Sequence, residues 1–123
     1  MNRILLLIGF LFVASCTNEK EKLLPGNWQA TEVLEEGEPL AVPVANIRFD
    51  FFEDGTYIYN STLNYKEAGT YSLQSNLLYT LDTVNQASVE KAVRIELLTQ
   101  DSLHLQMKEQ GKSRLLKLVR ETF

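Results

Sequence analysis

The stretch Phe49-Asp50-Phe51-Phe52-Glu53-Asp54-Gly55-Thr56-Tyr57-Ile58-Tyr59 decides how this chain folds. Phe49 and Phe51 flank Asp50, and Tyr57 and Tyr59 flank Ile58. Such period-two spacing marks strands with one dry face. The Asp-Gly between them marks a hairpin turn. A two-residue loop at Asp54-Gly55 would set Phe51 opposite Ile58 and Phe49 opposite Asn60. That mixes the wet and dry sets, which a half-buried sheet does not tolerate. A three-residue loop, Glu53-Asp54-Gly55, sets Phe51 opposite Tyr57 and Phe49 opposite Tyr59. It is a type I turn closed by a G1 bulge, with Gly55 in the left-handed region.

The same alternation extends outward in both directions. Ile47 continues the Phe49–Phe51 parity, and Leu63 and Tyr65 continue that of Tyr57 and Tyr59 against Asn60, Thr62 and Asn64. Leu77, Tyr79 and Leu81 share a parity, as do Val89, Val93, Ile95 and Leu97, and then Leu103, Leu105 and Met107 against His104, Gln106 and Lys108. Turn residues recur between the runs at Glu36-Gly37-Glu38-Pro39, Ser75-Asn76, Gln100-Asp101-Ser102 and Gln110-Gly111. No segment after residue 27 carries a helical stripe, and Pro25 limits residues 20–25 to one short turn. About eight short strands joined mostly by hairpins make an all-β, up-and-down antiparallel meander. Closure into a barrel removes its exposed edges, with a flattened barrel or sandwich as the alternative.

The N-terminus reads differently. Arg3 precedes an uncharged run from Ile4 to Ala14, broken only by Gly9. A membrane span needs ~20 apolar residues, so this shorter run is the core of a secretory signal. Val13-Ala14-Ser15-Cys16 resembles the lipobox of bacterial lipoproteins, with small residues leading into the cysteine. The resemblance implies a signal peptide at 1–15, lipid attachment at Cys16, a polar tether at 16–23 and a domain at 24–123. Cys16 is the chain's single cysteine, so no intrachain disulfide forms. Thr17 stands where an Asp keeps some lipoproteins in the inner membrane, which implies the outer membrane, on its periplasmic face or at the cell surface. Glu19 and Glu21 resemble the acidic surface-export signals of some Gram-negative lipoproteins, although Lys20 and Lys22 interrupt them. Removal of residues 1–15 takes Arg3, leaving 11 basic against 16 acidic residues and a net charge of −5. That sign argues against nucleic acid as a partner.

Gly26-Asn27-Trp28, opening the first strand, resembles the lipocalin signature. The wider layout resembles the small lipocalin-like lipoproteins of Gram-negative bacteria. It carries Leu24-Pro25-Gly26-Asn27-Trp28, a phenylalanine-rich strand into Asp54-Gly55-Thr56-Tyr57, Gly69-Thr70-Tyr71, and a segment from Ile95 through Asp101-Ser102-Leu103 to Leu105. The resemblance implies a barrel with Trp28 plugging its closed end and a late arginine, Arg114 or Arg120, lying over the tryptophan. The later Thr-Asp-Tyr signature of classical lipocalins is missing.

Little in the composition speaks for catalysis. One histidine and one cysteine supply neither a triad nor a zinc site. The strand parities show no pair of inward carboxylates, and His104 falls on a wet parity. The expectation is a non-enzyme without cofactor or metal. Tyr57, Tyr59, Tyr71 and Tyr79 share the presumed inner parity and are the candidate ligand-binding residues, their rings lining a cavity for a small apolar ligand and their hydroxyls orienting it. The competing expectation is that these rings fill the barrel, since eight strands leave room for side chains or one small ligand. In that case the protein is a packed interaction module for a protein or envelope polymer, with a patch drawn from Phe52, Leu78, Leu98, Leu116 and Leu118.

Overall fold

The decisive hairpin forms with the expected register. Phe49 pairs with Tyr59 and Phe51 with Tyr57, and Gly55 takes φ 87°. The Asp54 carboxylate accepts hydrogen bonds from the Thr56 amide at 3.1 Å and its hydroxyl at 2.6 Å, which holds the turn. Gly55→Val is expected to cost about 2 kcal/mol, because a β-branched residue is forced left-handed. Asp54→Ala removes only solvent-exposed hydrogen bonds and is expected to cost about 0.5–1 kcal/mol. Denaturant melts of the two variants check the order, and equal losses would refute the G1 assignment.

The computed structural model describes residues 19–85 and 90–122. The signal peptide, Cys16 and Val89 lie outside the described residues. Nine strands run in chain order: β1 Gly26–Glu35, β2 Glu38–Pro39, β3 Arg48–Phe51, β4 Thr56–Asn60, β5 Lys66–Gln74, β6 Leu77–Asp82, β7 Glu90–Leu98, β8 Ser102–Glu109 and β9 Lys112–Arg120. Strands β3 to β9 form an antiparallel meander in sequence order. β1 pairs with both β3 and β9, which closes eight strands into a barrel, and the two-residue β2 hangs on the end of β1. Closure leaves the eight barrel strands without an open edge.

Two irregularities steer side chains inward. A bulge between Ala30 and Glu32 transfers the inward parity of β1 from Trp28 and Ala30 to Val33. A second, between Ile95 and Leu97, turns Leu97 outward and sets Leu98 against the core.

Several expected parities are corrected. In β6 the buried set is Leu78, Thr80 and Asp82, while Leu77, Tyr79 and Leu81 face outward. The Ser75-Asn76 turn is the cause. Its two residues leave Gln74 opposite Leu77 and Leu73 opposite Leu78, so the inward parity of β5 passes to the even residues of β6. Leu63 and Tyr65 do not continue β4, which ends at Asn60. They sit in the following turn, where Leu63 and Asn64 have φ 59° and 60°. Leu78, Leu116 and Leu118 belong to the core, so of the residues considered for a surface patch only Phe52 is strongly exposed.

One end of the barrel is sealed. Residues 19–23 form a short helical turn beneath it, tied to the β5–β6 turn by Lys20, whose Nζ donates to the Ser75 carbonyl at 3.2 Å. Trp28 is fully buried and its indole N–H donates to the Leu24 carbonyl at 2.8 Å. Arg120 supplies the lid, its guanidinium carbon 4.3 Å from the indole centroid. It donates to the carbonyls of Pro25 at 2.8 Å, Gln100 at 2.7 Å and Leu23. A Cβ at Gly26 would fall 2.2 Å from that guanidinium, so the glycine of Gly26-Asn27-Trp28 makes room for the arginine. Phe49, Phe51, Leu103, Leu105 and Leu118 fill the barrel above this plug.

Candidate functional site

The opposite end of the barrel is built from residues 36–47, the β4–β5 and β8–β9 connections and residues 83–85 after β6. Residues 40–47 fold across it, with Leu40, Val42 and Val44 against the core. Gln29 holds this crossing in place. Its amide donates to the carbonyls of Val44 at 2.8 Å and Ile47 at 3.0 Å. The Leu40 amide also donates to the Val33 carbonyl at 2.8 Å.

Beneath the crossing lies a cavity of about 90 Å3, walled by Val33, Leu40, Val42, Ile47, Leu116, Met107 and Tyr59. Ser61, Thr62, Glu109 and Arg114 form its rim. Arg114 is engaged by Glu35 at 2.8 Å, and that hydrogen bond, with Lys112 beside it, holds the Glu35 carboxyl below its ordinary pKa. The Tyr59 ring stacks on Phe49 with centroids 4.3 Å apart. Burial raises its phenol pKa, so a protonated hydroxyl stands in the wall. The space is far below the ~300 Å3 at which drug-sized pockets begin. It suits a short alkyl segment or one small ring.

Beside the cavity the interior is polar. Glu67 is 5 % exposed and accepts hydrogen bonds from the Tyr57 hydroxyl at 2.6 Å, the Tyr65 hydroxyl at 2.8 Å and Lys91 at 3.3 Å. The phenols respond as donors to a carboxylate should. The Tyr57 pKa is raised, first by burial and then by Glu67. That of Tyr65 is raised to about 12, first by the hydrogen bond to Glu67 and then by burial. Asp82, equally buried, accepts from the backbone amide of Val84 at 2.9 Å and the side-chain amide of Asn85 at 2.6 Å. Burial pushes its pKa up, but these hydrogen bonds outweigh it and the carboxyl ends below its ordinary value. Among the described residues every buried side-chain polar atom has a partner. This cluster is a satisfied brace that stiffens the wall of the cavity.

The expected tyrosines therefore separate. Tyr59 lines the cavity, whereas Tyr57 is 1 % exposed and braces the wall through Glu67. Tyr71 sits at the sealed end, its ring edge-on to Phe51 and its hydroxyl donating to the Phe52 carbonyl at 2.7 Å. Tyr79 lies on the outer face, opposite Ser72 and Ala92. The inward acids Glu67 and Asp82 overturn the expectation that the strands bring no pair of carboxylates inside. The parity of Tyr71 in β5 includes Glu67, and this was the signal available for it. His104 is half-buried on the outer face, and burial together with the nearby Lys117 lowers its pKa. The described residues contain no cluster of acids, histidines or cysteines arranged to hold a metal ion.

No family model and no curated protein matches this sequence. Two solved structures share the architecture. An uncharacterized protein from Bacteroides eggerthii superimposes with a TM-score of 0.57 at 17% identity, covering 79% of this chain and 98% of its own. A lipocalin-like protein from Bacteroides uniformis superimposes with a TM-score of 0.56 at 17% identity, covering 80% of this chain and 98% of its own. At that identity the likeness shows the fold, and the fold is lipocalin-like.

Proposed function

We propose that this chain is a lipid-anchored envelope protein that holds a small apolar ligand in the unsealed end of its barrel, without catalysis. The observation that carries the reading is the apolar cavity under residues 40–47, opposite a sealed end. Its wall is aliphatic, with one aromatic face, one thioether and a few polar atoms at the rim, the usual make-up of a site for a small apolar molecule. The binding role rests on this wall together with the fold analogy, and a fold alone does not specify function. A binding role also fits the brace, since both oxygens of Glu67 are already occupied. Anchoring is supported by the sequence before residue 17. More than one acyl chain on Cys16 gives durable attachment, each buried CH2 contributing ~0.8 kcal/mol.

One experiment tests both halves. The full-length protein is isolated from envelopes and weighed by native mass spectrometry before and after organic extraction. Acyl chains on Cys16 remain as a covalent mass increment, while a cavity ligand appears as an adduct that extraction removes. Met107→Trp fills the cavity and is expected to abolish the adduct while costing no more than about 1–3 kcal/mol of stability. A protein without adduct, and without a mass shift on addition of short fatty acids or single-ring apolar compounds, would refute the binding role. Absence of the covalent increment would refute the anchor.

A further inference from the structure

Beside the β4–β5 turn lies a second concavity of about 510 Å3, which meets the apolar cavity at Ser61. We propose that this groove is a saccharide-binding site.

The chemistry of its lining points to that class. Three asparagines, Asn46, Asn60 and Asn64, come together from three different segments with Ser61 and Lys66. A carboxamide presents two donor hydrogens and an acceptor oxygen, which complement neighbouring hydroxyls that each give and take a hydrogen bond. The groove volume lies within the ~300–1,000 Å3 range of small-molecule sites. Tyr65 supplies the flat apolar surface that the C–H face of a sugar ring stacks upon. It is 41% exposed, yet its position is fixed by the hydroxyl bond to Glu67 at 2.8 Å and edge contact with Tyr59 at 6.2 Å. A platform immobilised in the free protein loses little entropy on binding.

The turn beside it is built against its local preference. Leu63 and Asn64 are both left-handed, closed by the Tyr65 amide donating to the Thr62 carbonyl at 3.2 Å. Asparagine tolerates that conformation, but leucine does so at a cost. The side chain so presented is 96% exposed at the groove's edge. A bound sugar ring would give this leucine an apolar surface to cover.

Other ligand classes fit less well. Arg48 is already paired with Asp50 at 3.4 Å and Glu121 at 3.1 Å, leaving Lys66 as the groove's exposed cation. One lysine on a chain of net charge −4 does not make a nucleic-acid site. An extended peptide seeks an open sheet edge, and β3 and β4 are both paired on either side.

Saturation-transfer NMR tests the proposal. The full chain is held in a zwitterionic detergent without sugar headgroups and offered hexoses, deoxyhexoses, N-acetylhexosamines, hexuronic acids and their disaccharides. At least one class is expected to bind, with transfer strongest on the C–H bonds of one ring face. Asn46→Ala combined with Asn60→Ala should weaken that binding by about tenfold or more, as expected for lost hydrogen bonds, with an unchanged melting temperature. Leu63→Asn should weaken binding while raising the melting temperature, whereas Val84→Ser, in the β6–β7 connection, should bind as the parent does. No binding by any sugar up to about 10 mM, a concentration that still detects affinities of a few kcal/mol, would overturn the proposal. So would a double asparagine variant that binds as tightly as the parent.

Discussion

Trp28→Ala is expected to lose about 3–5 kcal/mol, the range for removing a large buried aromatic side chain. Three losses combine at this position. The fully buried ring leaves a hole at the sealed end, the Leu24 carbonyl loses its donor, and Arg120 loses the face on which it rests. Trp28→Phe keeps most of the bulk and gives up the indole hydrogen bond, so it should cost less, about 1–2 kcal/mol. Denaturant melts measure both. Hydrogen exchange on Trp28→Ala should also show lost protection at the Leu24 amide, whose bond to the Lys20 carbonyl closes the helical turn beneath the plug. A loss below about 1 kcal/mol, the level of an ordinary surface change, would mean that the sealed end is not part of the cooperative core.

Glu67→Leu is expected to cost about 2–4 kcal/mol, drawn from the charge-assisted hydrogen bonds it breaks and the buried donor it leaves. The three donors respond unequally. Lys91 has 53% of its side chain in solvent and rehydrates. Tyr65 does so in part, and Tyr57, at 1 % exposure, bears most of the loss. Adding Tyr57→Phe to Glu67→Leu removes the orphaned hydroxyl, so the double variant should be no less stable than Glu67→Leu alone. Strictly additive losses would show that the pair is not coupled. The alkaline limb offers a second readout. The folded-state pKa of Tyr65 is raised to about 12, so folding favours the protonated phenol. Its contribution is complete below the unfolded value near ~10 and is lost as pH rises through the folded value. In Glu67→Leu the largest cause of the shift is gone, and the stability decline over that window should flatten.

Both predictions show where this sequence can be read and where it hides its structure. The β3–β4 hairpin was legible because only one loop length kept Phe49, Phe51, Tyr57 and Tyr59 on one face. The plug was legible from Gly26-Asn27-Trp28, although Arg120 was separated from Arg114 only by geometry. β6 was misread because Leu77, Tyr79 and Leu81 are bulkier than the Leu78, Thr80 and Asp82 that the barrel encloses. The Ser75-Asn76 turn held the correction. With two residues in the turn, an inward Leu73 requires an inward Leu78. The bulge at Glu96 left no such trace, since one extra residue resets the parity without a glycine or proline to announce it. Of the candidate site, Tyr59 was within reach of parity. The crossing by residues 40–47 was not, because Leu40, Val42 and Val44 alternate as a strand would, yet beyond Pro39 this segment joins no strand and turns at Val44–Asn46.

The position of the sealed end has a consequence for traffic. The chain reaches the barrel through the helical turn at residues 19–23, beneath Trp28. Cys16 is three residues earlier, a reach of about 10 Å even when fully extended. On the proposed anchoring, with acyl chains on Cys16 in a bilayer, the plugged pole would be moored to the lipid and the apolar cavity would face the water beyond. A carrier held in this way would be poorly placed to lift cargo out of its own membrane. It would instead be oriented to exchange cargo with whatever diffuses past or docks from the opposite side.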